Sequence, residues 1–221
     1  FAGYFGLEQI NLAAYEPRTA PMDVLLGRER IQRTQVIKQA DVVMLLALLE
    51  DRFPEHVRHA NFAYYEPRCG HGSSLSPPLH ALVAARLGYL EKAERYLRQN
   101  AAIDLDDTMG NTAHGVHIGA LGGLWQAMIF GFGGITLNQG TLDLPPRLLP
   151  HWNSLRFPVQ WRGRTVRVEI QQNPPLASVT LERGRPLGVT VAEAHHQLQP
   201  GETWVCRYAP LQPEGSRKDS S

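Results

Sequence analysis

Residues able to do chemistry concentrate in one short stretch, His71-Gly72-Ser73-Ser74-Leu75-Ser76-Pro77-Pro78. It sets three hydroxyls, a glycine and a histidine directly before an apolar helical pattern. Ser76 suits the N-cap of that helix, where a side-chain oxygen takes an orphan backbone N–H. Pro77 suits the first turn, since its ring presets φ and its missing donor is not needed there. A helix start with spare serines and free N–H groups favours an anion, through hydrogen bonding and the macrodipole. Taken alone, the stretch also reads as a well-capped helix and nothing more. Its company turns the reading towards phosphate: Lys38-Gln39 upstream and His117 downstream.

Other polar groups fall near the same end of the helical pattern. Lys38 and Gln39 offer donors and an acceptor suited to vicinal sugar hydroxyls, although a lysine snorkelling from a helix bundle fits the same residues. The loop Tyr65-Glu66-Pro67-Arg68-Cys69-Gly70-His71 carries a carboxylate, a guanidinium and an imidazole. Arg68 or His71 could neutralise an anion there, and Glu66 could orient a water or simply pair with Arg68. His114 and His117, three apart, mimic a metal pair, but no carboxylate or cysteine completes a zinc set, so no metal is expected. Asp104, Asp106 and Asp107 lack the glycine and terminal glutamate of a calcium loop and read as helix caps.

The elements that position these groups change character near residue 134. Before it the pattern is helical. Residues 39–50 are apolar nearly all round, which predicts a helix buried on several sides. Further helices are predicted from Pro54 to Tyr65, through Leu79, Leu82, Val83 and Leu87 with Gly88 as terminator, and along Leu90, Ala93, Leu97 and Ala101. The last helical face runs through His117, Leu121, Leu124, Trp125, Met128 and Phe132, and carries Gly115, Gly119, Gly122 and Gly123. Glycines lower helix propensity, so close approach of a neighbouring backbone is expected there. After residue 134 the period becomes two: Phe157, Val159, Trp161; Val166, Val168, Ile170; Val179, Leu181; Leu187, Val189, Val191. Glycine turns separate these runs, as in an antiparallel β-sandwich. Three segments follow: 1–134 as a multi-helix layer, for which part of an α/α barrel is one solution, 135–209 as a β-sandwich domain, and 210–221 as a disordered tail.

Composition narrows the classes. The formal net charge of +1 over 221 residues argues against a dedicated nucleic-acid binder. Arg28, Arg30 and Arg33 cluster, but with glutamate and glutamine between them they read as a solvated face or ion pairs. Cys69 and Cys206 are the two cysteines and make no disulfide framework, so a reduced, cytoplasmic setting is expected. The longest apolar run, residues 42–49, is too short to span a membrane. The chain opens on Phe1 with its apolar pattern already running, and reads as a piece of a longer polypeptide.

In their order, six segments resemble the C-terminal half of glycoside hydrolase family 65, the maltose, trehalose and kojibiose phosphorylases and their hydrolase relatives. They are Gln35-Val36-Ile37-Lys38-Gln39-Ala40-Asp41-Val42, Tyr64-Tyr65-Glu66-Pro67, His71-Gly72-Ser73-Ser74-Leu75-Ser76, Ile103-Asp104-Leu105-Asp106, Gly115-Val116-His117-Ile118 and Gly131-Phe132-Gly133-Gly134. The resemblance implies an α+β chain: the last part of an (α/α)6 barrel followed by a small antiparallel β-sandwich. It implies that Lys38 and Gln39 contact the glucosyl unit, and that Ser73, Ser74 and His117 surround phosphate; His71 joins the phosphate set from its place in the same loop. The implied reaction is inverting phosphorolysis of an α-glucoside to β-glucose 1-phosphate, with inorganic phosphate as co-substrate and no metal or organic cofactor. A homodimer is implied as well.

Three positions depart from the family pattern: Gly72 stands where an acidic residue is common, Cys69 at a threonine-like position, and His114 where aspartate is frequent. A hydrolase relative would need a base carboxylate across the ring from the acid, at the wider spacing of inversion, and Glu66 is the candidate. The family's general acid falls upstream of the aligned portion, so the chain by itself is expected to be inactive. A carbohydrate-binding module without chemistry is the reading from another class.

Overall fold

Apolar spacing at three and four residues builds the first part of the molecule, and alternation builds the second. The computed structural model describes residues 3–16, 20–138 and 140–211. The expected tail falls outside them from residue 212 onward. Two one-turn helices, α1 (Met22–Leu25) and α2 (Arg28–Ile31), precede α3 (Asp41–Leu48), α4 (Glu55–Tyr65), α5 (Ser76–Arg86), α6 (Leu90–Leu105) and α7 (Ile118–Gln126). A π-helical segment, Ala127–Phe132, continues α7. On α2, Arg30 pairs with Glu8 at 2.8 Å, an exposed ion pair as its spacing among polar residues suggested.

α5 is the hub. It contacts α3, α6, α7 and the π segment, and Ala81, Ala84 and Ala85 are wholly buried on it. Small side chains let these neighbours approach one helix. α6 buries Leu90, Ala93, Tyr96, Asn100 and Ile103, one face of a 3.6-residue period. The expected stripe through Leu97 and Ala101 is therefore rotated by one residue, and Tyr96 and Asn100 turn inward with polar handles. The glycines of α7 have their reason, in side chains more than backbone. A Cβ on Gly119 would sit 2.8 Å from Leu75 Cδ2, and one on Gly123 2.6 Å from Pro78 Cγ. Gly122 has nothing within 4 Å, and on the π segment Gly131 meets backbone, with Leu82 Cα 3.2 Å from a built Cβ.

α3 is not buried on several sides. Val43 and Leu46 are covered, but Met44, Leu45, Leu48 and Leu49 are 40–71% exposed. Among the described residues, the α-helices packed most closely on it are α4 and α5. The face of α7 that carries Leu121 and Trp125 is likewise exposed.

The strands are β1 (Thr136–Asn138), β2 (Thr141–Leu144), β3 (Ser154–Trp161), β4 (Arg164–Gln171), β5 (Leu176–Arg183), β6 (Leu187–Val191), β7 (Ala194–Leu198) and β8 (Thr203–Arg207). They form two four-stranded sheets, in the orders β1-β2-β6-β7 and β3-β4-β5-β8. The alternating residues Val166, Val168, Ile170, Val179, Leu181, Leu187 and Val191 point inward and are wholly buried. One pair departs from the antiparallel expectation: β2 runs parallel to β6, Thr141 opposite Gly188 through Leu144 opposite Val191. β2 and β6 are far apart in sequence, so no hairpin dictates their direction. The fold is α+β. Among the described residues, no helix is long and apolar enough to cross a membrane.

Candidate functional site

The loop between α4 and α5 is held by main-chain pairing to the strand-like segment before α3. Ile37 N donates to Arg68 O (3.0 Å), Gly70 N to Ile37 O (2.7 Å) and Gly72 N to Lys38 O (3.1 Å). Lys38 therefore lies along the loop, its Cγ 3.1 Å from where a Gly72 Cβ would be. Gly70 and Gly72 line two clefts at once. One, of about 250 Å³, contains Lys38; the other, of about 550 Å³, contains His71, Ser73 and Ser74. The two clefts share Gly70 and Gly72, so Lys38 and the serines flank the same loop. Gln39, next along the chain, is exposed.

Buried Gln35 anchors this arrangement. Its Oε1 accepts from Tyr64 Oη and Arg68 Nε, both at 2.9 Å, and its Nε2 donates to the carbonyls of Phe5 and Leu7. Arg68 also donates to Tyr64 O and stacks 3.8 Å from the Tyr64 ring centroid. It is spent on the scaffold and is neither the partner of Glu66 nor the group that would neutralise an anion. Glu66 is 7% exposed and accepts from Lys92 Nζ (2.8 Å), Arg95 Nη2 (2.8 Å) and Tyr96 Oη (2.6 Å). Burial raises its pKa, but the hydrogen bonds from Lys92 and Tyr96 and the charges of Lys92 and Arg95 outweigh it, and the net direction is down. A carboxylate held ionised by three donors makes a poor base. Its partners were readable in part, because Lys92, Arg95 and Tyr96 fall at i, i+3 and i+4 on one helical face.

Ser76 does not cap α5. The N-cap is Leu75, and Ser76, the first helical residue, is buried. Its Oγ lies 2.8 Å from His71 Nδ1 and 3.1 Å from Cys69 Sγ. The helix start also offers fewer backbone donors than the sequence suggested. Ser76 N donates to Ser73 O, Leu75 N to Ser73 Oγ, and Pro77 and Pro78 have no N–H to give. Side-chain hydroxyls, not the helix terminus, are what this loop can turn towards an anion. His71 itself holds φ +49°, a left-handed conformation few side chains adopt.

His117 is half-buried and is the N-cap residue of α7, before the apolar face it was expected to share. Asp104, at the end of α6, grips it twice: Oδ2 accepts from the His117 N–H (2.9 Å) and Oδ1 lies 2.6 Å from Nδ1. That side-chain hydrogen bond holds the Asp104 pKa below its ordinary value. The contact of Gly119 with Leu75 brings this turn beside the serine loop. His114 is exposed on a 3-10 turn and does not assemble with His117. Asp107 accepts from the N–H groups of Asn111 and Thr112, both at 2.9 Å, the capping role read for it.

His80, on α5, was not singled out by its sequence. Burial lowers its pKa to about 4, although the Ser76 carbonyl and the Glu66 charge pull it upward. An unfolded chain takes up this proton near 6.5, whereas the folded one does not until about 4. Stability is therefore complete above the higher value and is lost as pH falls towards the lower. The loss is on the order of 3 kcal/mol, most of it by about pH 4.5. Urea midpoints at pH 7 and about pH 4.5 should differ accordingly, and His80→Gln should flatten the difference; an unchanged slope in the variant refutes it.

The model of the glycosyl hydrolase family 65 central catalytic domain matches residues 1–126, and that of the family's C-terminal domain matches residues 136–198. The chain belongs to glycosyl hydrolase family 65. Relatives within the family include kojibiose phosphorylase of Halothermothrix orenii, 39% identical over 78% of this chain and 22% of that protein. The alpha,alpha-trehalose phosphorylase of Geobacillus stearothermophilus is 38% identical over 78% of the chain and 22% of its own length. Maltose phosphorylase of Bacillus subtilis is 34% identical, over 83% and 24%. A solved structure assigned as a kojibiose phosphorylase from the human microbiome matches with a TM-score of 0.83 at 27% identity, over 93% of this chain and 27% of that one. The chain thus spans about a quarter of the length of the family 65 proteins it matches.

Proposed function

We propose that the whole protein containing this chain cleaves an α-glucosidic disaccharide by inverting phosphorolysis, and that this chain supplies the walls holding glucosyl unit and phosphate. Phosphate oxygen attacks C1 while an acidic group protonates the departing glycosidic oxygen, yielding β-glucose 1-phosphate and a free sugar. Lys38 and Gln39 orient the glucosyl hydroxyls. Ser73, Ser74, His71 and His117 hold the phosphate, the Asp104 contact fixing the His117 ring. Inorganic phosphate is the co-substrate, and the helices form the closing part of an (α/α)6 barrel.

The observation that carries this reading is the pair of clefts that meet at Gly70 and Gly72, one lined by Lys38 and the other by Ser73 and Ser74. The segments that carry Lys38 and the serines are joined by main-chain hydrogen bonds, which supports a shared role in binding. The names of the relatives point the same way. The hydrolase alternative is weakened by Glu66, whose oxygens are taken by three donors.

The test is sugar release by the whole protein from kojibiose, trehalose and maltose, with and without phosphate. Phosphate-dependent formation of β-glucose 1-phosphate from one of them is the expected result. Equal release without phosphate makes the protein a hydrolase, and binding of sugar without cleavage makes it a carbohydrate-binding module.

A further inference from the structure

We propose that Cys69, His71 and His80, with Ser76 between them, form a binding site for a thiophilic divalent cation of the zinc class. Among the described residues, these three offer ligand atoms that all lie within 4.8 Å of one another. The fold converges them from separate elements. Cys69 sits on the bridge to Ile37, His71 follows in the left-handed conformation, and His80 rises from the second turn of α5.

The dimensions fit. Cys69 Sγ is 3.8 Å from His71 Nδ1, and Ser76 Oγ is 3.1 Å from the sulfur and 2.8 Å from that nitrogen. A tetrahedral zinc, with bonds near 2.3 Å to sulfur and 2.0–2.1 Å to nitrogen or oxygen, holds its ligand atoms roughly 3.3–3.6 Å apart. The three observed separations bracket that edge, so small side-chain rotations open the centre. His80 completes the set, with one ring nitrogen within 4.8 Å of the Cys69 and His71 ligand atoms.

The chemistry fits as well. Cys69 is buried, its sulfur against Ser76 Oγ. His80 is wholly buried, its Nδ1 donates to the Ser76 carbonyl at 2.9 Å, and its Nε2 has no hydrogen-bond partner. A neutral imidazole with one N–H fixed on a backbone carbonyl and the other nitrogen bare has the tautomer of a metal ligand. Binding converts the Cys69 thiol to thiolate and releases its proton to solvent. The site stands on this geometry alone. Its consequence rests on the phosphorolysis reading: a cation that captures His71 withdraws it from phosphate and inhibits the enzyme.

Cobalt(II) titrated into the reduced chain reads the site directly, through the thiolate-to-metal charge-transfer absorption of tetrahedral coordination. One equivalent should bind with that band and be displaced by zinc(II). Cys69→Ser should abolish the band, Cys206→Ser should leave it, and His71→Ala on the partly exposed loop should weaken binding by more than about 10–100-fold, the loss expected of an outer-shell partner alone. No band in the unaltered chain, or a band that survives Cys69→Ser, overturns the site. In the whole protein, zinc(II) should inhibit phosphorolysis in competition with phosphate, and Cys69→Ser should resist it. Tight binding without inhibition would uphold the site and remove His71 from the phosphate-binding set.

Discussion

Lys38→Ala in the whole protein is expected to lower kcat/KM for phosphorolysis about 100-fold, the roughly 3 kcal/mol attached to a charged hydrogen bond to substrate. The substitution removes the ammonium but leaves what the residue does for the fold. The Lys38 carbonyl still accepts from Gly72 N, and the bonds joining Ile37 to Arg68 and Gly70 are untouched. Its side chain is exposed, so little packing is lost. Lys38→Arg tests geometry as distinct from charge, because a planar fork does not replace a compact ammonium; it should recover only part of the rate. Steady-state kinetics with disaccharide and phosphate varied separately give the assignment. A deficit confined to the phosphate KM would move Lys38 to the anion, and an unaltered kcat/KM would remove it from the site.

Gly134→Ala is expected to destabilise the chain by about 2–5 kcal/mol, combining ~1–2 for a left-handed Cβ and ~1–3 for overpacking. Gly134 has φ +75°, and a Cβ there would lie 1.9 Å from Pro145 O and 2.7 Å from its carbonyl carbon. That carbonyl cannot simply retreat. Two residues on, Arg147 N donates to Phe132 O at 2.9 Å, and the Arg147 side chain reaches back to Pro145 O. The junction of helices and strands is closed by these contacts. Gly163→Ala is the control, since Gly163 has φ +73° but nothing within 4 Å of a built Cβ. It should lose only the conformational part, and urea midpoints of the two variants measure the clash by difference. Equal losses would mean that Pro145 yields freely.

Much of the architecture was legible because it repeats locally. Alternation in residues 157–191 is a property of neighbouring residues, and β3 to β6 follow it. β1, β2, β7 and β8 were not anticipated: they are three to five residues long, and β7 and β8 bury little of either face. Pro54 and Gly88 marked helix limits correctly, Gly88 with φ +84°. The site was legible as a list of residues and not as an arrangement. Cys-x-His followed nine residues later by His80 was a metal-type spacing within reach of inspection, but it was masked by the serines between.

By itself, then, the sequence determined the family, the α+β class and the loop where polar groups gather, since period and motif order are written in consecutive residues. Only the tertiary structure decided what each polar atom faces. It turned Ser76 inward to His71 and Cys69, gave Glu66 to Lys92, Arg95 and Tyr96, took Arg68 for Gln35, and left α3 covered on one side. Those outcomes depend on groups brought together from distant positions, and a buried polar atom takes whichever partner the packing sets opposite it.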